Sequence, residues 1–81
     1  MSLQPRIKLV KVGAGRLAGK NPVAARIRER TGCTVVAVER DGQVAMDYPA
    51  SFLLSPDDAL YICGTSDAVA RYHEEFPTSR L

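Results

Sequence analysis

The chain has little of what enzymes and metal centres are usually built from. It contains one histidine, His73, and two widely separated cysteines, Cys33 and Cys63, with no CxxC pair. A closed zinc site usually takes four Cys or His ligands, so three scattered ones do not make it. Two buried free thiols are the expectation for the cysteines, with a single disulfide as the alternative. His73 stands beside Glu74 and Glu75 without a nucleophile or base at readable spacing, and Ser51, Ser55 and Ser66 fall in turn-like contexts. No catalytic constellation emerges, and the expectation is a non-enzymatic protein.

Apolar runs are also short. None approaches the roughly 20 residues of a membrane span, and no signal-peptide pattern is present, which gives the expectation of a cytosolic domain. Charge of one sign is scarce too: the net charge is +2. That is far from the imbalance of a dedicated nucleic-acid binder, so no nucleic-acid partner is expected. With 81 residues the chain is one small domain. A domain of this size buries only about 60% of the surface its unfolded form exposes, so a partner subunit is the expected source of extra stability.

What is present divides into clear elements. Arg6 to Val12 alternates Ile7, Leu9 (with Val10) and Val12 against Arg6, Lys8 and Lys11, a rough strand pattern. Gly13-Ala14-Gly15 ends it, and a loop runs to Gly19-Lys20. Asn21-Pro22 is a helix start: asparagine caps through its side chain and proline suits the first helical position. The spacing predicts a helix from Val23 to Thr31, with Val23 and Ile27 on one face and Gly32 as the left-handed stop. Thr34 to Val38 is apolar on both faces, so both faces are expected to be covered.

Asp41-Gly42 is a hairpin turn, and Gln43 to Met46 is the returning strand. Phe52-Leu53-Leu54 is an apolar anchor. Ser55-Pro56-Asp57-Asp58 is a turn, and Ala59 to Cys63 is a further strand ended by Gly64. Thr65 or Ser66 caps a last helix with Val69, Tyr72 (or His73) and Phe76 as its stripe and Pro77 as its stop. The expected fold is a small α+β (α/β) domain in the order β-α-β-β-β-α. It has one four-stranded, mostly antiparallel sheet and two helices packed on it. The domain is expected to span 4–77, with residues 1–3 as a leader and 78–81 as a tail.

One motif competes with this reading. Gly13-Ala14-Gly15-Arg16-Leu17-Ala18 fits the GxGxxA form of the dinucleotide fingerprint, and Glu39 lies where an acid would hold a ribose. The fingerprint needs a helix running on from its glycines. Gly19 and Pro22 fall inside that stretch, and an interior proline costs roughly 3 kcal/mol. The next strand also turns back in a hairpin rather than crossing over. A phosphate loop fails at Ala14 and Asn21.

The basic residues cluster at Arg26, Arg28 and Arg30, with Arg16 and Lys20 just upstream. On a helix, 26 and 30 share a face, while 28 lies about 200° around from 26. They form either a solvated face balanced by Glu29 or a place where one arginine holds an anion at a subunit interface. Arginine's planar fork suits the second role.

Two segments carry a family resemblance. The first is Leu17-Ala18-Gly19-Lys20 followed by Ile27-Arg28-Glu29-Arg30-Thr31-Gly32-Cys33-Thr34-Val35-Val36-Ala37-Val38-Glu39-Arg40-Asp41-Gly42. The second is Phe52-Leu53-Leu54 followed by Asp57-Asp58-Ala59-Leu60-Tyr61-Ile62-Cys63-Gly64-Thr65. In this order they resemble the TrkA-C (RCK-C) domain, the C-terminal regulatory module of prokaryotic potassium channels and transporters. The chain departs from the family's usual leucine-rich turn after Gly-Lys, having Pro22-Val23-Ala24-Ala25. It also has Ser55-Pro56-Asp57-Asp58 where the family usually shows Glu-x-Gly-Asp.

The resemblance implies a cytosolic regulatory and dimerisation domain controlling ion transport. Its partners would be a second copy and a pore, a transporter or a Rossmann domain of a parent protein, with membrane contact only through that parent. Its ligand would be cyclic di-AMP or another small anionic molecule, held across the two-fold axis of the pair. The resemblance places Arg28 on phosphate and Thr34 at a position where cyclic di-AMP binders tend to carry asparagine. It places Pro22, Val23 and Pro49 around the adenine. Two other readings stay open at the level of sequence: an assembly module without ligand, and a dinucleotide-binding fragment.

Overall fold

A computed structural model describes residues 6–77, so the expected leader at 1–3 and tail at 78–81 lie outside the described residues. The elements are β1 (Lys8–Gly13), α1 (Ile27–Thr31), β2 (Thr34–Arg40), β3 (Gln43–Ala45), β4 (Ala59–Gly64) and α2 (Ser66–Glu75). A single 3₁₀ turn, Gly15–Leu17, follows β1. The strands form one sheet in the order β1-β4-β2-β3, and every pair is antiparallel. This is the α+β arrangement expected from the residue pattern.

Register decides which residues enter the core. Val10 and Val12 of β1 lie opposite Ile62 and Leu60 of β4, as do Val35 and Val38 of β2. Those positions share the face on which the helices pack. There Leu60, Ile62, Leu17, Ile27, Tyr72 and Phe76 are buried together. The inward set of β1 is therefore the even-numbered one. Ile7 and Leu9, which alternation alone assigns to the core, are mostly exposed on the other side. The expectation that β2 is covered on both faces also fails. A register shift between Val35 and Ala37 makes Val36 a bulge, and it points partly to solvent.

The largest departure from the sequence expectation is the first helix, which begins at Ile27 rather than Val23. Asn21 does act as a cap: its Oδ1 accepts from the N–H groups of Val23 and Ala24 at 2.9 and 3.2 Å. That forms one turn and no more. Its Nδ2 donates to the carbonyls of Ala50 and Phe52, pinning the turn to a neighbouring loop. Arg26 then takes a left-handed conformation, φ 55° and ψ 43°, and α1 starts afresh after it. Val23 and Ile27 consequently do not share a face; Val23 is 74% exposed and Ile27 3%. A tertiary tie through Asn21 thus overrides a helical pattern.

Other local expectations hold. Asp41 and Gly42 both have positive φ, the conformation of the tightest hairpin turn, although β3 ends at Ala45 rather than Met46. Thr65 Oγ1 accepts from the Ala68 N–H and caps α2. Gly32 carries φ 89° at the end of α1. Cys33 is buried and Cys63 half-buried, and both thiols are free. Only the single 3₁₀ turn Gly15–Leu17 follows Gly13-Ala14, and Glu39 is engaged by Lys11 and by the Tyr61 hydroxyl. The dinucleotide fingerprint therefore lacks both its helix and its free acid.

Candidate functional site

Two features of the chain converge to build a cleft on one side of the sheet. The first is the broken helix start. Because Arg26 reverses the chain, Val23 stands out from the surface instead of packing inward. The second is the end of α1. The Thr31 hydroxyl donates to the Ile27 carbonyl at 2.7 Å and accepts from the Cys33 N–H at 3.0 Å. This buried threonine bonds to both sides of the Gly32 turn and sets Thr34 at the first position of β2. A cleft of about 260 Å³ opens between these features.

Four of the five residues expected at a site line this cleft: Pro22, Val23, Arg28 and Thr34. Pro49 does not line it. Its carbonyl accepts from the Phe52 N–H at 2.9 Å, and its neighbour Tyr48 reaches the cleft instead. The sequence pointed to this loop, and the residue of it that lines the cleft is Tyr48. Asn21 was foreseen only as a cap. It is also the link that brings the loop of Tyr48 against Pro22, through the two bonds to Ala50 and Phe52. No spacing in the sequence signals that second role.

The electrostatics are simple. Arg28 is exposed, and among the described residues no ion pair or side-chain hydrogen bond engages it. Glu29 lines the same cleft, so one cation and one anion face it. Burial pushes the Tyr48 hydroxyl pKa up, which leaves it a neutral donor at physiological pH. The cleft can thus offer one guanidinium fork, the Thr34 and Tyr48 hydroxyls, and apolar contact from Pro22 and Val23. Arg26 and Arg30 line a different cleft from Arg28.

A clamp missed in the sequence steadies the far end of β2. Arg40 donates from Nε and Nη2 to the two carboxylate oxygens of Asp58 at 2.8 and 2.6 Å, and from Nη2 to the Leu53 carbonyl. Asp58, 2% exposed, also accepts from the Ser55 N–H. The Arg40 guanidinium holds the Asp58 pKa below its ordinary value. It lies 4.8 Å from the Phe52 ring centroid, and Phe52 packs 5.3 Å from Tyr48. A chain of contacts therefore runs from the buried carboxylate to the lip of the cleft. The Asp57-Asp58 pair has turn geometry, as expected, but Asp58 also carries this ion pair.

The family model of the TrkA-C domain matches residues 8–76. The chain belongs to the TrkA-C domain family. A search of curated proteins found no match to the sequence. Solved structures of the same shape do exist. The TrkA-C domain described here is similar to the RCK C domain of the potassium transport protein KtrA in complex with cyclic di-AMP. That match has a TM-score of 0.77 and 19% identity, over 88% of this chain and 85% of the other.

It is also similar to the RCK_C domain dimer of BusR from S. agalactiae in complex with cyclic di-AMP. There the TM-score is 0.69 and the identity 20%, over 84% and 88% of the two chains. The RCK domain of GsuK matches with a TM-score of 0.76 and 21% identity over 91% of this chain, which spans only 16% of the GsuK chain. Longer BusR chains in complex with promoter DNA match as well, and this chain spans 38% of one of them. At these identities the likeness is one of fold.

Proposed function

We propose that this TrkA-C domain is a ligand-binding and dimerisation module that regulates a potassium channel or transporter. Its ligand would be cyclic di-AMP or another small anionic molecule. The observation that carries the reading is the convergence of Arg28, Thr34, Pro22 and Val23 on one open cleft, with Arg28 free to meet an anion. Two copies related by a two-fold axis would present two such clefts to a two-fold ligand. Ligand binding would favour one dimer geometry over another and so act on an attached gate at the cytosolic face of a membrane. The parent would supply a pore, a transporter or a Rossmann domain. No helix among the described residues is long and apolar enough to cross a membrane.

A second reading has one observation in its favour. Glu29 shares the cleft with Arg28 and weakens its pull on an anion. On that basis the domain would be an assembly module without ligand. Nucleic acid, set aside on the strength of the net charge, is not set aside for a longer parent, since BusR with a similar domain is found in complex with its promoter DNA.

Calorimetry with cyclic di-AMP, at protein concentrations where sedimentation shows a dimer, separates the readings. Binding with one ligand per two chains is expected. Arg28→Ala should weaken it by about 10- to 100-fold, the loss of one charge-assisted contact. Dimerisation without heat from cyclic di-AMP or other nucleotides establishes the assembly module. A strict monomer at high concentration refutes both.

A further inference from the structure

A second cleft, of about 410 Å³, shares no lining residue with the one at Arg28. It lies between the turn after β1 and the end of α2. Buried Leu17 and Phe76 form its floor, with Leu53 beside them. Lys20, Arg26 and Arg30 bring three cations to it, and no carboxylate lines it.

The arginines are not there by default. Arg30 is held in place: its Nε and Nη2 donate to Glu75 Oε1 at 3.2 and 2.7 Å, and its guanidinium lies 4.8 Å from the Phe76 ring centroid. No ion pair among the described residues engages Lys20 or Arg26. Arg26 also adopts φ 55°, a conformation that suits glycine and that a β-carbon disfavours. Strained backbone of this kind gathers where a ligand is clamped. Glu75 already balances Arg30, which leaves Lys20 and Arg26 as unpaired cations on the hollow, and an anion would offset their repulsion.

The wall also says what kind of anion fits. Asn21, the only neutral polar side chain in the lining, has its bonds committed. Its Oδ1 accepts twice and its Nδ2 donates twice, all to backbone. Little remains to read hydrogen-bonding edges on a ligand. The hollow therefore favours a ligand that brings negative charge to the cations and apolar bulk to Leu17, Leu53 and Phe76. A phosphate monoester carries nearly two negative charges at neutral pH and three acceptor oxygens, enough to engage several cations at once. A carboxylate carries one charge and meets a single fork.

We propose that this cleft is a second anion site, distinct from the one at Arg28, that binds a phosphate monoester with an apolar body. The ester has two sources, a soluble aryl or alkyl phosphate and a phosphatidic acid headgroup. The site does not depend on any ligand at Arg28.

The test follows backbone amide resonances of the domain during titration with phenyl phosphate, inorganic phosphate and benzoate, alongside co-sedimentation with phosphatidic-acid vesicles. Phenyl phosphate should shift the amides of Gly19, Ala24, Arg26 and Phe76, binding at least about 10-fold tighter than either single-feature probe. Arg26→Gly should weaken it about 10-fold while keeping or raising Tm, since glycine relieves the left-handed strain. Arg28→Ala should leave it unchanged.

Vesicle binding that Arg26→Gly abolishes, added to a phenyl phosphate response, assigns the lipid source. A phenyl phosphate response without vesicle binding assigns the soluble one. The proposal is overturned by no shift at these amides, by shifts centred on Thr34 and Val35, by an equal response to inorganic phosphate or benzoate, or by vesicle binding with no response to phenyl phosphate.

Discussion

Asp58→Asn tests how much of the fold hangs on one buried carboxylate. The substitution keeps the shape of the side chain and removes its charge. In the native protein the two oxygens accept from Arg40 Nε and Nη2 and from the Ser55 N–H at 2.6 to 2.8 Å. Asparagine offers one acceptor oxygen and turns two donors toward groups that are themselves donors. Arg40 is 43% exposed on its side chain, so water screens the pair and can recover part of the arginine's solvation.

Charge-assisted hydrogen bonds contribute about 1.5–3 kcal/mol each, and the screening argues for a net loss near the low end, about 2 kcal/mol. A domain of this length has a total stability of roughly 4–12 kcal/mol. The loss should therefore lower Tm by about 8–16 °C, read by thermal circular dichroism.

The pH dependence must agree. Arg40 depresses the folded pKa of Asp58 below its unfolded value. Its contribution is therefore fully present above the unfolded value, ~3.9, and is lost as pH falls through the folded one. Asp58→Asn should flatten that acid limb of the stability curve. A Tm change under about 2 °C, or an unchanged acid limb, would refute the reasoning.

Substitutions at three further positions probe other parts of the structure. The Tyr72 hydroxyl is buried without a hydrogen-bond partner among the described residues, and burial pushes its pKa up to about 12; Tyr72→Phe should be neutral or stabilise by about 1 kcal/mol in urea unfolding, because an unpaired buried group is removed. Asn21→Ala should cost about 2–3 kcal/mol by losing its cap and its two bonds to the loop of Tyr48, and Asn21→Asp should recover only the cap share, both read as denaturation midpoints. Gly42→Ala should cost about 1–2 kcal/mol, since φ +79° is strained for any side chain even though nothing lies near the added carbon. An unchanged midpoint there would mean that the hairpin relaxes to another turn.

Much of the fold was legible because the elements obey local rules. Asp41-Gly42 forces the hairpin, Thr65 caps α2, and the Val69, Tyr72, Phe76 spacing sets its buried stripe. The cleft was legible in part. Arg28 and Thr34 are fixed by short-range geometry, one on a helix and the other two residues past its glycine stop. Pro22 and Val23 lie in the turn that Asn21 caps. That Tyr48 and not Pro49 lines the cleft was not legible, because the loop from 46 to 54 has no period to read, and which of its side chains meets the cleft depends on contacts with Asn21. The helix from Val23 was misread for the same reason. Its apolar spacing is genuine, but spacing carries no information about a bond to Ala50.

The sequence by itself determined the order of elements, the antiparallel hairpin, the family and the shortage of catalytic groups. Those follow from period, turn chemistry and residue type, which act over a few neighbours. Only the tertiary structure decided that Arg26 breaks the helix and that Arg28 faces one cleft while Arg26 and Arg30 face another. It alone showed that Asp58 holds Arg40 and that Tyr48 lines the cleft. Each of these depends on groups brought together by the sheet, and the energy of such a contact belongs to the pair, not to either residue alone.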